Sequence, residues 1–215
     1  MKKYIILALA CLPLNMVAQN VWERPDIKQE SHETPAEKQK TIPQEDEKYL
    51  EGAVPEVDGR VEWTLNVDVP GKKAQELYDA MLKYMDALTH TENQLEGSIV
   101  ALVNKSDHMI VTSVKEWLVF KDQFFSLDRS RFSFNLVTTC SDGHVSVVMN
   151  RLVYRYEENR EHGGQVMKAE ELINDRNSLN KKKTKMYKGT AKFRRKTIDR
   201  KDFLFNDITQ MLKKL

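Results

Sequence analysis

VEWTLNVDVPGKKAQELYDAMLKYMDAL, residues 61–88, is the stretch in which the hydrophobic period of the chain changes. Apolar and polar residues alternate over residues 61–69, and this period of two predicts a half-buried strand that ends at Pro70 and Gly71. Over residues 74–88 the apolar residues recur every three or four positions, which predicts an amphipathic helix of about five turns. The stretch therefore predicts a strand followed by a helix whose apolar stripe faces a sheet.

Strand signals continue from about residue 97 to residue 157. The turn between the last two predicted strands contains Asp142 and Gly143, a pair that tight hairpins favour. The strands should form an antiparallel meander with one face in water. A short helix over residues 167–179 and a final amphipathic helix capped by Asp199 complete the pattern. The predicted strands lie near residues 97–104, 109–121, 131–140 and 144–157.

The order of elements is β-α-β-β-β-β-α-α, which predicts an α+β fold: an antiparallel sheet of about five strands with helices packed on one face. The core domain is expected over residues 57–158. Residues 159–215 are expected to form a C-terminal extension, in which a basic connector leads to an amphipathic helix that packs on the core.

The N-terminal residues 1–19 have the layout of a secretory signal peptide, with Lys2 and Lys3 before an apolar run. The run is shorter than the ~20 residues of a membrane-spanning helix, and cleavage is expected near Ala18. The alternative is a lipoprotein that is cut before Cys11 and lipidated there. Both alternatives predict export, to the periplasm, the outer surface or the medium, with no transmembrane segment in the mature chain.

Residues 20–56 are rich in proline and charged residues, lean acidic and show no sustained hydrophobic period. A segment of this composition cannot bury enough apolar surface to offset its chain entropy, so it is predicted to be a disordered tether. Cys140 would be the one cysteine left after signal cleavage, and we interpret it as a small buried residue.

The sequence contains no recognisable catalytic motif. The five histidines lack metal-ligand spacing, and neither a nucleophile elbow nor a glycine-rich phosphate loop occurs, so no catalytic residue, metal or cofactor is predicted. Cys140 and His144 flank a turn and could be read as a Cys–His dyad, although no third group orients the histidine. Four aromatic residues could line a carbohydrate platform or, in the simpler interpretation, pack in the core. They are Trp63, Trp117, Tyr154 and Tyr156.

The net charge of +2 implies no global attraction to nucleic acid or membranes, but basic residues concentrate between residues 180 and 197. They would form a solvated connector. Alternatively they would hold the protein on anionic lipids or polysaccharide, where each clustered cation contributes about 1 kcal/mol. The possible polyanion contacts are Lys181, Lys182, Lys183, Lys185, Lys188, Lys192, Arg194, Arg195 and Lys196.

Three stretches resemble a family of exported bacterial proteins, the domain of unknown function 4468: VDGRVEWTLNV, ELYDAMLKYM and VVMNRLVYRYEE. KFRRKTIDRKDFLF, near the C-terminus, is similar as well. The resemblance implies a TBP-like fold, which is a curved antiparallel sheet with helices on one side. It implies no activity and no functional residues.

A TBP-like topology does not imply DNA binding, since function belongs to a site and not to a fold. Minor-groove readers present basic residues from the sheet. The predicted water-facing side is mixed or acidic, so no nucleic-acid partner is predicted. Its polar residues are Glu62, Asp68, Glu116, Ser133, Asn135 and Asn150.

These observations predict an exported, non-enzymatic binding module of the cell envelope whose partner is a protein, a peptide or a glycan. One alternative is an enzyme of unrecognised type, a hydrolase. The other is attachment to a polyanion or a membrane surface through residues 181–196.

Overall fold

The computed structural model describes residues 47–123, 126–158 and 163–215. The predicted signal peptide, with Cys11, and residues 20–46 of the predicted tether lie outside these ranges. The helices of the described part are α1 (Ala74–Thr89), α2 (Ala169–Leu172), α3 (Asp175–Ser178) and α4 (Lys188–Leu212). The strands are β1 (Glu56–Val57), β2 (Arg60–Val61), β3 (Trp63–Asp68), β4 (Ile99–Asn104), β5 (Met109–Gln123), β6 (Ser126–Ser141), β7 (His144–Tyr156) and β8 (Gln165–Lys168).

The central sheet is antiparallel and has the strand order β3-β7-β6-β5-β4, with β8 pairing with β7 beyond the end of β3. The predicted α+β fold is thus confirmed, but the sheet has six strands instead of about five. β8 is the strand of this sheet that the sequence pattern did not predict, because Gln165 was assigned to a loop and Met167 and Lys168 to a helix over 167–179. In the structure that region is β8 followed by the single-turn helices α2 and α3.

The hairpin between β6 and β7 also fixes the start of α1. Gly143 has φ +74° in this turn, a conformation that favours glycine. Asp142 accepts a hydrogen bond from the backbone N–H of Ala74 at 2.9 Å and another from Lys73 Nζ at 3.0 Å. Its carboxylate therefore satisfies an N–H of the first helical turn that would otherwise lack a partner.

The core lies between the sheet and its helices, on one face only. Leu77, Tyr78 and Met81 of α1 are fully buried, as are the alternate strand residues that they face. Burying an aliphatic or aromatic side chain of this size contributes about 1.5–3 kcal/mol. The alternate strand residues are Ile110, Val114, Phe132, Phe134, Leu136, Val145, Val147 and Met149.

The C-terminal helix is longer than the sequence pattern predicted. It begins at Lys188 and includes Asp199 in its interior, so Asp199 does not cap it. Asp199 instead accepts hydrogen bonds of 2.7 Å from Lys48 Nζ and Tyr49 OH. The residues that were predicted to form an extended connector are therefore in part the first turns of α4.

The predicted tether overlaps the folded domain over residues 47–56. Tyr49, Leu50 and Val54 are buried, and Trp63 Nε1 donates a 3.0 Å hydrogen bond to the carbonyl of Ala53. The composition of the segment does not predict this burial, because the residue that holds the segment is Arg194, in α4.

Candidate functional site

The core lies on the helix side of the sheet, and we call the opposite face the open face. The period of two along each strand places alternate residues there. On β6, Ser133, Asn135 and Val137 are half-buried and Arg131 is exposed, whereas their neighbours Phe132, Phe134 and Leu136 are buried on the helix side. A polar, accessible sheet surface therefore remains for a ligand.

Glu116 lies on the helix side and not on the open face. It is 1% exposed, and both of its carboxylate oxygens accept hydrogen bonds of 2.7 Å from Arg200 of α4. Gln94 Nε2 donates to it as well, at 3.0 Å. The interpretation of the open face as mixed or acidic was wrong in this respect, since one of its assumed carboxylates is in the core.

A first hollow, of about 430 Å³, lies where the β1–β2 ribbon meets β7. Asn150 Nδ2 donates to Glu62 Oε2 at 3.2 Å, and the buried Asn150 Oδ1 has no hydrogen-bond partner among the described residues. Arg151 has φ +55°, which is uncommon for a residue with a side chain and marks the irregularity in β7. The hollow is lined by Val57, Asp58, Arg60, Glu62, Asn150 and Arg151.

A second hollow, of about 230 Å³, is formed by β5, β6, β7 and the loop before β4, and we call it the cationic hollow. The register places Lys115 opposite Ser133, and Arg131 opposite Arg155. These four side chains belong to the open-face positions of three neighbouring strands. The hollow is lined by Leu95, Glu96, Lys115, Arg131, Phe132, Ser133 and Arg155.

The loop before β4 holds Lys115 in place. The carbonyl of Lys115 accepts hydrogen bonds of 2.7 Å from Leu95 N and Ser98 Oγ, and its N–H donates to Ser98 Oγ at 2.8 Å. Gly97 has φ +87°, and a Cβ at this position would collide with Lys115 Nζ. The loop therefore fixes the backbone at Lys115 and leaves room for its ammonium group.

Trp117 stands beside the cationic hollow and orders two arginines. The Cζ atom of Arg129 lies 3.6 Å from the centroid of the Trp117 ring, and that of Arg131 lies 5.6 Å from it. Contacts of this kind stabilise a guanidinium over an aromatic face. Arg131 Nε also pairs with Glu158 Oε2 at 2.9 Å.

The other members of the predicted aromatic platform have different positions. Trp63 and Tyr154 are buried in the core, and Tyr154 OH is within 2.8 Å of Thr197 Oγ1. Tyr156 packs on Phe193 with the ring centroids 5.4 Å apart. The four residues do not form one surface, and Trp117 alone of the four belongs to the open face.

The predicted polyanion contacts divide into two groups. Lys183 pairs with Glu51, and Lys192 donates to Asp128 Oδ2 at 2.8 Å and to Tyr156 OH at 2.7 Å. Arg194 is fully buried, which removes it from any surface, and Arg195 lies 4.9 Å from the Tyr49 ring centroid. The exposed lysines that form no ion pair with a described residue are Lys181, Lys182, Lys185, Lys188 and Lys196.

Cys140 and His144 do not form a dyad, because they lie on opposite sides of the sheet. Cys140 is buried on the helix side, and this burial raises the pKa of its thiol to about 11. His144 is half-buried on the open face, where its Nδ1 is 2.8 Å from Asp68 Oδ1. A protonated thiol without a base nearby is no nucleophile.

The described residues contain neither a membrane-spanning helix nor a cluster of metal ligands. Their helices are each too short or too polar to cross a membrane. Their His, Cys, Asp and Glu side chains form no group of three or more that could hold a metal ion.

Comparison with known proteins places this fold among proteins of unknown function. A family model described as "Domain of unknown function (DUF4468) with TBP-like fold" matches residues 63–155. The crystal structure of a DUF4468 family protein from Bacteroides ovatus is 37% identical to the chain, with a TM-score of 0.72, and the match covers 78% of this chain and 94% of that one.

A second crystal structure, of a TBP-like protein from Parabacteroides distasonis, is 20% identical and has a TM-score of 0.57, with 74% of this chain and 97% of that one covered. At this identity the likeness concerns the fold alone. No protein of curated function matches the chain significantly.

Proposed function

The chain belongs to the DUF4468 family of TBP-like fold, and we propose that it is an exported, non-enzymatic binding module of the cell envelope that binds its ligand on the open face of the sheet. The ligand would be a protein, a peptide or a glycan. The family name brings no activity with it, so the proposal is argued from this chain's own residues.

The proposal of export rests on the sequence of residues 1–19, with its two lysines and the apolar run that follows. If the proposal is right, expression of the full chain in a Gram-negative host should give a product outside the cytoplasm. Mass spectrometry should find its N-terminus near residue 19. An uncleaved product retained in the cytoplasm would contradict export, and a lipid-modified Cys11 would support the lipoprotein alternative.

The proposal of binding is supported above all by one observation: two polar hollows, of about 430 and 230 Å³, lie along the face of the sheet opposite the described helices. Ligand sites are concave and combine a few convergent polar groups with a rigid scaffold. The scaffold here is a continuous antiparallel sheet with its other face packed on helices.

Site-specific photo-crosslinking tests which face binds. A photoreactive residue would replace Ser133 on the open face or, as the control, Asp79 on the exposed side of α1. After incubation with envelope extract, adducts are expected from position 133 and not from position 79. Equal adduct formation at both positions, or none at position 133, would contradict the proposal.

A second candidate function is attachment to an anionic surface through the five exposed lysines that pair with no described residue. Each lysine near such a surface contributes about 1 kcal/mol, and salt screens the attraction. Co-sedimentation with vesicles that contain anionic lipid should therefore weaken as salt rises. It should also weaken when Lys181, Lys182 and Lys185 are changed to glutamine. Salt-independent binding would exclude this electrostatic mode.

A further inference from the structure

Arg131 of β6 and Arg155 of β7 are directly opposite each other in the register of the sheet. Residues in such a pair have Cβ atoms about 4.5–5.5 Å apart, and like charges there destabilise the sheet. Nothing in the formation of a strand requires arginine at either position. A locally unfavourable choice of this kind is characteristic of a functional site.

Lys115 adds a third cation on the next strand. It is paired with Ser133, which is two residues from Arg131 on the same strand and face, so Lys115 is a diagonal neighbour of Arg131. The small side chain of Ser133 leaves space between the cations and adds a hydroxyl group. The three positive charges therefore surround one hollow instead of pointing to different parts of the surface.

The carboxylates nearby do not neutralise these charges. Glu158 pairs with Arg131 at 2.9 Å, and Glu96 lines the hollow without an ion pair to a described residue. Lys115 and Arg155 likewise form no ion pair with any described residue. The wall of the hollow thus has an excess of positive charge.

The chemistry of these groups indicates a ligand class. A guanidinium presents parallel N–H donors that match two oxygens of a carboxylate, sulfate or phosphate, and an ammonium adds a point charge. A volume of about 230 Å³ accommodates one such group and the atoms next to it, not a whole polymer. We propose that the cationic hollow binds one oxyanion group of an anionic ligand between Lys115, Arg131 and Arg155.

This inference rests on the proposed function, because it names the ligand class of the same open face. It also assigns a role to Glu158, whose carboxylate already occupies one side of Arg131. The negative charge of Glu158 would limit the affinity for the oxyanion by repelling it. Removing its charge should therefore strengthen oxyanion binding.

The test measures binding of sodium sulfate, sodium phosphate and sodium glucuronate to the full chain by calorimetry and by thermal unfolding. Ionic strength is kept constant with sodium chloride, so that general screening does not change. Saturable binding of at least one anion and a rise in melting temperature are expected. Sulfate or phosphate binding would point to an inorganic ion or a sulfated or phosphorylated group, and glucuronate binding to an acidic sugar.

Arg155→Gln should lower the affinity for the anion that binds the wild type by about tenfold or more, because hydrogen bonds to charged groups are strong. The same substitution removes the Arg131–Arg155 repulsion, so the anion-free variant should melt at the same temperature as the wild type or higher. Lys83→Gln makes the same change in charge at an exposed residue of α1, outside the hollow, and should leave the affinity unchanged. Glu158→Gln should raise the affinity.

Lys115→Gln provides a second loss-of-binding variant if Arg155→Gln does not fold. The inference is overturned if none of the three anions binds saturably, or if Arg155→Gln and Lys115→Gln bind as tightly as the wild type. Equal weakening by Lys83→Gln would also overturn it, because overall charge would then explain the effect. Failed anion binding with intact crosslinking at position 133 overturns this inference alone. Anion binding without any crosslinked envelope partner contradicts the proposed function instead.

Discussion

The Nη2 atom of Arg194 lies 2.7 Å from Asp175 Oδ1, and the arginine side chain is fully buried. The guanidinium also donates to the carbonyls of Tyr49, Leu50 and Ile173, at 2.5–2.6 Å, and to Ser178 Oγ at 3.1 Å. A buried charge is tolerated when its hydrogen-bonding groups are satisfied in this way. One side chain of α4 thereby fastens the start of the domain and the turns around α3.

Replacing Arg194 with methionine should destabilise the domain strongly. The substitution removes the guanidinium from the carbonyls of Tyr49 and Leu50 and from Asp175. Breaking a buried ion pair costs about 3–5 kcal/mol. Urea unfolding followed by circular dichroism measures the loss. Lys188→Met, an exposed site on the same helix, is the control, and a loss at Arg194 no larger than at Lys188 would contradict the assigned role.

Two charged residues explain where sequence reasoning failed. Arg194 was placed in a solvated basic stretch, although the three-to-four spacing of Leu204 and Ile208 extends back through Thr197 to Arg194. Glu116 was placed on the water-facing side, although it shares its period-two row with Ile110, Val114 and Leu118. In both cases the charge of the side chain suggested exposure, whereas its position in the hydrophobic period indicated burial. The position was the better indicator of burial.

The strands and α1 could be predicted because their hydrophobic periods are local properties of the sequence. The cationic hollow could not be predicted, because it depends on which residue of β6 faces which residue of β5 and β7. The irregularity near Arg151 shifts that register between Ser133 and Asn135. A short strand such as β8 has too few residues to show a period at all.

Replacing Gly97 with alanine should affect both stability and oxyanion binding. Its φ of +87° strains a residue with a side chain, at a cost of about 1–3 kcal/mol, and the new methyl group displaces Lys115 Nζ. Gly52→Ala is the matched control, because Gly52 has φ +79° and nothing within 4 Å of an added Cβ. Both variants should lose stability in urea, but Gly97→Ala alone should bind the anion more weakly. Equal anion affinity in the two variants would contradict the position assigned to Lys115.

The stability of the domain should fall in acid through Asp199. Burial acts to raise the pKa of Asp199, but the hydrogen bonds from Lys48 and Tyr49 outweigh it and the pKa is lowered. Because its pKa is lower in the folded state, ionised Asp199 stabilises the domain at pH values above its unfolded-state pKa of about 3.9. This stabilisation is lost as the pH falls through the folded-state pKa. The free energy of unfolding, measured between pH 6 and pH 2, should drop less steeply below about pH 4 in Asp199→Asn than in the wild type. Asp79→Asn removes one exposed carboxylate of α1 and is the control for the change in charge. An unchanged slope in Asp199→Asn would contradict the prediction.

The Cys140 thiol should be nearly inert in the folded protein. With a pKa of about 11, its thiolate fraction at pH 8 is lower than that of a free cysteine by roughly a hundredfold. Alkylation by iodoacetamide, followed on the peptide that contains Cys140, should therefore be slow in buffer and fast in denaturing urea. Ser141→Cys in a Cys140→Ala background places a thiol on the exposed neighbour and should react quickly without urea. Equal rates at the two positions would show that Cys140 is not protected.

The hydrogen bonds of Arg194 also determine the order in which the domain can fold. The carbonyls that Arg194 holds belong to residues 144 and 145 positions earlier in the chain. During synthesis the N-terminus emerges first, so those residues are exposed long before Arg194, their hydrogen-bond donor, has been synthesised. Assembly of the native interior must therefore wait for the last helix, and a polypeptide cut short before residue 188 would offer its unfinished interior to proteases.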